Sequence, residues 1–176
     1  MIRIYFGKSG AGKDYCLKQD VATGYWTPIV CYTNREMREN EVPGVDYHFV
    51  TDNEFASLIL EDSLAEYCSF NFIHNGVKGI RYYGSPIVNP NEKNYVCVLN
   101  AAGVKSYIDR YGSDNLEIIY VHASDEVRER RARARGSFNQ AEWERRYTQD
   151  ECDLSEEVID DIIRRYGKSI CMYKNE

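Results

Sequence analysis

Residues 7–14 read Gly7-Lys8-Ser9-Gly10-Ala11-Gly12-Lys13-Asp14, between an apolar run from Ile2 to Phe6 and the stretch Tyr15-Cys16-Leu17-Lys18. The order is strand, glycine-rich turn, helix, and it satisfies the spacing G-x-x-x-x-G-K. Glycines let the backbone turn tightly with its N–H groups inward, and the N-terminus of the following helix adds a partial positive charge. Lys13 then reaches the terminal phosphates of a nucleotide. Gly7, Ser9, Gly10, Ala11, Gly12, Lys13, Asp14 and Tyr15 are the candidate nucleotide-binding residues of this segment.

The position after the lysine normally carries Ser or Thr, whose hydroxyl ligates Mg²⁺. Here it is Asp14. A carboxylate is also a hard oxygen donor, so Asp14 is the candidate metal ligand.

Composition limits what surrounds this loop. With 176 residues, 43% of them hydrophobic, the chain suffices for one well-packed domain with small appendages. A net charge of −6 argues against general nucleic-acid or anionic-membrane binding. The six cysteines, at 16, 31, 68, 97, 152 and 171, form no C-x-x-C pair and no zinc spacing, and read as reduced thiols of a cytoplasmic protein. Met1 to Phe6 reads as a strand rather than a leader, and no apolar run reaches membrane-spanning length.

Along the chain, Lys13 to Val21 is expected to be helical, and Pro28 to Tyr32 to form a second strand. Thr51-x-x-Glu54 is a capping box that opens a helix through Phe55, Leu58 and Ile59. An aromatic segment, Glu66 to Phe72, a turn at Asn75-Gly76, and Ile80 to Tyr83 suggest a hairpin. Tyr95–Leu99 and Glu117–Val121 are continuous apolar runs of the kind that become buried parallel strands, with a helix between them from Gly103 to Tyr111. Ser124-Asp125-Glu126 opens a helix closed by Arg133, Arg135 and Gly136. Ser137-x-x-Gln140 is a further capping box, Glu156 to Tyr166 a helix stopped by Gly167, and Ser169 to Tyr173 a last strand. Such alternation implies a parallel three-layer α/β core.

The segment Thr33-Asn34-Arg35-Glu36-Met37-Arg38-Glu39-Asn40-Glu41-Val42-Pro43-Gly44-Val45-Asp46-Tyr47-His48-Phe49 resembles the T-T-R-x-P-R-x-G-E-x-x-G-x-D-Y-x-F block of the guanylate kinase family. Tyr82-Tyr83-Gly84-Ser85 looks like that family's Y-Y-G-S/T element, and Arg131-x-x-x-Arg135-Gly136 like its R-L-x-x-R-G. The resemblance implies a P-loop NTPase fold with a parallel sheet core at 1–30, 88–136 and 153–176. It also implies a small α+β subdomain binding the acceptor monophosphate at 31–87, and a short helical lid at 137–152.

Carried over position by position, the resemblance implies that Arg35, Arg38, Tyr47 and Tyr83 bind the acceptor phosphate, an assignment that suits guanidinium forks and phenol hydroxyls. It implies that Glu66 accepts from the N1 and N2 groups of guanine, that Ser85 meets O6, and that Cys31 and Asn100 stand where a serine and an aspartate usually line the acceptor site. Lys13, Arg38, Arg131, Arg135 and Arg146 would neutralise the moving phosphoryl group, and Asn175 would lie near the adenine of ATP. The implied activity is transfer of phosphate from ATP, with Mg²⁺, to GMP or dGMP by a monomer or homodimer, with a lid and acceptor segment that close to exclude water. Cys31, Asn100 and Asp14 leave open a kinase of the same fold with another acceptor. A non-catalytic interaction module, as in scaffold proteins, would be expected to lack Lys13 and the acceptor arginines, which are present.

Overall fold

The computed structural model of the protein describes residues 1–74, 77–134 and 138–176. In chain order the elements are β1 (Ile2–Phe6), α1 (Lys13–Ala22), β2 (Thr27–Pro28), β3 (Tyr32–Thr33), β4 (His48–Phe49), α2 (Asp52–Leu60), β5 (Leu64–His74), β6 (Val77–Pro86), β7 (Tyr95–Val98), α3 (Ala101–Tyr111), a single 3₁₀ turn, β8 (Leu116–His122), α4 (Asp125–Ala134), α5 (Gln140–Asp153), α6 (Glu156–Tyr166) and β9 (Cys171–Lys174). They form two compact units, Met1–Pro28 with Pro90–Glu176, and Ile29–Asn89.

The first unit is built on a parallel sheet in the order β2-β7-β1-β8-β9, with β1 flanked by β7 and β8. Its apolar runs lack alternation because both faces are covered. Tyr5, Val96 and Val121 pack with Cys16 and Leu17 of α1 and Val127 of α4. Ile2, Ile4 and Phe6 of β1 and Ile118 of β8 alternate with these, are almost wholly buried, and so point to the other face. There α3 lies against β1 and α6, and the Tyr166 hydroxyl donates to the Leu116 carbonyl at 2.7 Å. Each such buried aliphatic or aromatic side chain contributes about 2 kcal/mol relative to exposure. This is the expected three-layer α/β core.

The second unit carries a four-stranded sheet in the order β4-β3-β6-β5. β5 and β6 pair antiparallel from Leu64↔Pro86 down to His74↔Val77, with a bulge between Leu64 and Glu66. The expected hairpin is present, and its Asn75-Gly76 turn lies outside the described residues. Thr51 caps α2 with both halves of the capping box formed, and Phe55 stacks on Tyr82 at 5.3 Å to cover one face of the sheet.

Three local readings of the sequence need correction. The expected strand Pro28 to Tyr32 is two separate strands, β2 in the first unit's sheet and β3 in the second's. Pro28 has no N–H to continue the ladder and sits on the edge strand, so pairing stops there. α3 starts at Ala101 instead of Gly103, because the Asn100 side chain caps it by accepting the Gly103 N–H at 2.7 Å. α5 is capped by Asn139, which accepts the Glu142 N–H at 3.0 Å, and the Ser137 of the expected capping box lies outside the described residues, as do Arg135 and Gly136.

Candidate functional site

In the first unit, Gly7 to Asp14 join the C-terminal end of β1 to α1, the place where open parallel sheets bind ligands. Gly7 has φ +143°, and a Cβ there would lie 2.3 Å from the Val121 carbonyl oxygen, so the loop can follow β8 this closely only without a side chain. Lys13 Nζ donates to the carbonyls of Gly7 and Lys8 at 2.7 and 2.9 Å, folding the ammonium across the loop. Arg131 and Asn175 meet on the same loop. Arg131 Nη1 donates to the Ala11 carbonyl at 3.2 Å and Nη2 to Asn175 Oδ1 at 3.3 Å, while Asn175 Nδ2 donates to the Ala11 carbonyl at 2.9 Å. Parallel pairing of β9 with β8 is what carries Asn175, one residue past β9, to this point.

Asp14 and Tyr15 lie in the first turn of α1 and are exposed. Among the described residues no group of three or more His, Cys, Asp or Glu side chains is placed to hold a metal ion. A single protein carboxylate that shares Mg²⁺ with nucleotide phosphates and water needs no such group. Arg146 lies on α5 with its Nε donating to Glu142 at 2.7 Å, and no described hydrogen bond joins it to the loop. Arg135 lies outside the described residues.

In the second unit, the alternation of β3, β6 and β5 places Thr33, Tyr83, Ser85, Glu66 and Cys68 on one face, through the pairs Thr33↔Tyr83, Glu66↔Ser85 and Cys68↔Tyr83. The Ser85 hydroxyl donates to Glu66 Oε1 at 2.9 Å. Burial raises the Glu66 carboxyl above the usual carboxylate range, an effect the Ser85 hydrogen bond partly offsets. Cys31 is close by. Burial, with Glu66 and Cys68 adding negative potential, pushes its thiol up to about 12, so it is a neutral S–H at physiological pH.

Arg35 sits at the other end of this face. Its guanidinium is buried and gripped by Glu41 through two hydrogen bonds, at 2.9 and 2.8 Å, with a third to the Glu36 carbonyl at 2.7 Å. These bonds hold the Glu41 carboxyl down at about 2. The Tyr47 and Phe49 rings lie 5.3 and 5.7 Å from the guanidinium carbon, and Tyr47 meets Tyr83 edge to face at 5.9 Å. Arg35 Nε is buried with no hydrogen-bond partner among the described residues. Arg38 is exposed, 3.9 Å from Glu41.

The fold thus brings Arg35, Tyr47 and Tyr83 together, joins Glu66 to Ser85 with Cys31 beside them, and gathers Lys13, Arg131 and Asn175 at the phosphate loop. Asn100 belongs to the first unit, where its amide oxygen is committed to the cap of α3. Sequence reasoning gave no role to Glu41, Arg128 or Asp150. Glu41 was visible as a matched position of the arginine block. Arg128 was hidden in the basic run 128–135, where only its place one residue after Val127 and three before Arg131 marks the inward stripe of α4.

Comparison with known proteins agrees with this arrangement. The family model described as guanylate kinase matches residues 2–165. A protein of Histophilus somni named guanylate kinase is 36% identical over 109 residues, a match that spans 60% of this chain and 46% of that relative. The crystal structure of guanylate kinase from Anaplasma phagocytophilum superposes with a TM-score of 0.59 at 18% identity, covering 100% of this chain and 77% of that one, and shows the same fold. With the family model spanning nearly the whole chain over a phosphate loop and an arginine–tyrosine cluster, the protein belongs to the guanylate kinase family.

Proposed function

We propose that the protein transfers the γ-phosphoryl group of ATP to the phosphate of GMP or dGMP. The observation that carries this reading is the Arg35 cluster: a buried guanidinium, fixed by Glu41 and ringed by Tyr47 and Tyr83, whose Nε has no partner among the described residues. Buried donors are almost always satisfied, and an unsatisfied one beside two phenols suits a phosphate oxygen. Glu66 and Ser85, on the same sheet face, suit a base that offers two N–H donors and a carbonyl oxygen, which is the edge of guanine.

The work divides between the units. Gly7 to Lys13, with Arg131 and Asn175, hold ATP, while Arg35, Arg38, Tyr47 and Tyr83 hold the acceptor phosphate. Lys13 leaves its two loop carbonyls and places its ammonium on the β- and γ-phosphates. Arg131, Arg135 and Arg146 add positive charge around the group in transit, and the segment 137–152 acts as a lid that excludes water. Phosphoryl transfer needs positioning and charge neutralisation with little covalent chemistry from the protein, and these residues supply both. Asp14 is the side chain that would hold Mg²⁺, which when bound neutralises phosphate charge. No described helix is long and apolar enough to cross a membrane.

Retention of Lys13 and Arg35 opposes a purely scaffolding role. Incubation with γ-labelled ATP, Mg²⁺ and GMP tests the reading. Label in the guanosine diphosphate product is expected, and folded protein that leaves GMP unlabelled overturns it.

A further inference from the structure

Ser9, in the first arm of the phosphate loop, is tied down through its N–H, its carbonyl and its hydroxyl. The N–H donates to Asp150 Oδ2 at 2.8 Å and the hydroxyl to Asp150 Oδ1 at 3.0 Å, while the carbonyl accepts from Arg128 Nε at 2.8 Å. Arg128 closes the ring by donating through Nη2 to Asp150 Oδ2 at 2.5 Å and through Nη1 to Asp125 Oδ1 at 2.6 Å. Its side chain is wholly buried and that of Asp150 is 15% exposed, with the Trp143 and Tyr147 rings 5.7 and 5.6 Å from the guanidinium carbon. The loop also presses on the helix that bears this arginine. A Cβ added at Gly10 would lie 3.0 Å from the Arg128 carbonyl oxygen.

We infer that Arg128 and Asp150 are positioning residues for the nucleotide, a pair from α4 and α5 that presets the first arm of the phosphate loop. The inference rests on the proposed use of this loop for ATP. An N–H already bonded to a protein carboxylate is not offered to phosphate, so Ser9 serves to fix the shape of the loop that receives the ligand. A cradle held in shape before the ligand arrives loses no affinity to reorganisation. A buried ion pair alone is weak evidence of a stabilising role, since well-packed apolar residues often replace one without loss. What distinguishes this pair is its aim, with both partners bonded to one residue of the phosphate loop.

Further contacts tie α5 to the loop and to α4. Asp150 binds Ser9, Glu151 pairs with Lys8, and the Tyr147 hydroxyl donates to Asp125 at 2.9 Å. These contacts anchor the C-terminal half of α5 to the loop and to α4, while Trp143 against Arg128 and Gln140, which accepts from Arg133 at 3.2 Å, hold its N-terminal half on α4.

The decisive variant is the double substitution Arg128→Met with Asp150→Leu, which removes both charges together and leaves no buried ion unpaired. Calorimetric binding of a non-hydrolysable ATP analogue with Mg²⁺ is compared with binding of GMP, neither measurement requiring turnover. The expected result is a variant with parental circular dichroism whose Kd for the analogue rises about tenfold while its Kd for GMP is unchanged. The isosteric Asp150→Asn, which keeps an oxygen for one Ser9 donor, is expected to weaken the analogue about threefold. It serves as the deciding variant if the double substitution does not fold. Parental affinity for the analogue in the folded double variant, or in Asp150→Asn when that variant decides, overturns the inference. So does an equal loss of affinity for both ligands. A parent protein that binds the analogue yet transfers no phosphate defeats the kinase reading alone, and the same comparison of affinities still decides the role of the pair.

Discussion

Arg35 and Glu41 form a two-pronged ion pair, Nη1 to Oε2 at 2.9 Å and Nη2 to Oε1 at 2.8 Å, in which the arginine side chain is 4% exposed and the glutamate 14%. Glu41 also accepts the Arg38 N–H at 2.8 Å, so one carboxylate shapes the whole Arg35–Arg38 turn. The carboxylate is the element that aims Arg35 and shapes the turn bearing Arg38.

Removing that charge isolates a buried guanidinium. Glu41→Gln is expected to lower stability by about 3 kcal/mol and to raise KM for the acceptor while KM for ATP stays put. The pH dependence follows from the depressed carboxyl, at about 2 in the folded protein against 4.5 ordinarily. A lowered carboxyl stabilises the fold above its unfolded value, and that stabilisation is lost as pH falls from about 4.5 to about 2. Thermal melts across this range should decline more steeply for the parent than for Glu41→Gln. Parallel curves would show that the pair does not titrate with folding.

Glu66 titrates in the opposite sense. Burial raises its carboxyl, so the carboxylate needed to accept from a guanine edge is lost on acidification sooner than an ordinary glutamate would lose it. KM for GMP is expected to climb as the pH is lowered. Glu66→Gln should give a high KM that varies little with pH. A KM for Glu66→Gln that rises on acidification as steeply as the parent's would remove Glu66 from base recognition.

Lys13, whose ammonium lies across the glycine-rich loop, is the cation proposed to meet the ATP phosphates. Lys13→Met is expected to reduce kcat on the order of 10³-fold, the scale of losing one preorganised electrostatic contact. GMP affinity should not change, since the acceptor residues are on other elements. Single-turnover kinetics with calorimetry of GMP binding separates the two effects.

Thiol chemistry reports on the acceptor face. Cys152 and Cys171 are exposed, whereas the Cys31 thiol is pushed up to about 12, chiefly by burial. Treatment with iodoacetamide at pH 8, followed by peptide mass analysis, should modify residues 152 and 171 and leave Cys31 intact. Alkylation of Cys31 at the rate of Cys152 would mean that this face is open to solvent.

Much of this was legible in the sequence because the signals were local. The strand–glycine turn–helix unit needs only neighbouring residues, and the apolar runs of β1, β7 and β8 announce strands covered on both sides. The Thr51 capping box and the Gly167 stop likewise depend on a few adjacent positions. The resemblance of the Thr33 to Phe49 block and of Tyr82 to Ser85 to family elements pointed to Arg35, Tyr47 and Tyr83, which the fold does bring together. What escaped the sequence depends on distant partners. Arg128 looks like one more charge in a basic run until Asp150, 22 residues on, is seen to neutralise it. Pro28 to Tyr32 reads as one strand because its apolar pattern is continuous, and only the pairing of β2 with β7 and of β3 with β6 divides it.

The central claim is that ATP is the donor and a guanine nucleoside monophosphate the acceptor. A coupled ADP-release assay with ATP and Mg²⁺ against GMP, dGMP, AMP, CMP, UMP and dTMP tests it most directly. The account predicts turnover on GMP or dGMP that exceeds turnover on AMP and the pyrimidines by at least about 100-fold in kcat/KM, because a site built to bond the guanine edge leaves buried polar groups unpaired with any other base. Absence of ADP release with every acceptor, or faster turnover on a pyrimidine than on GMP, would contradict it.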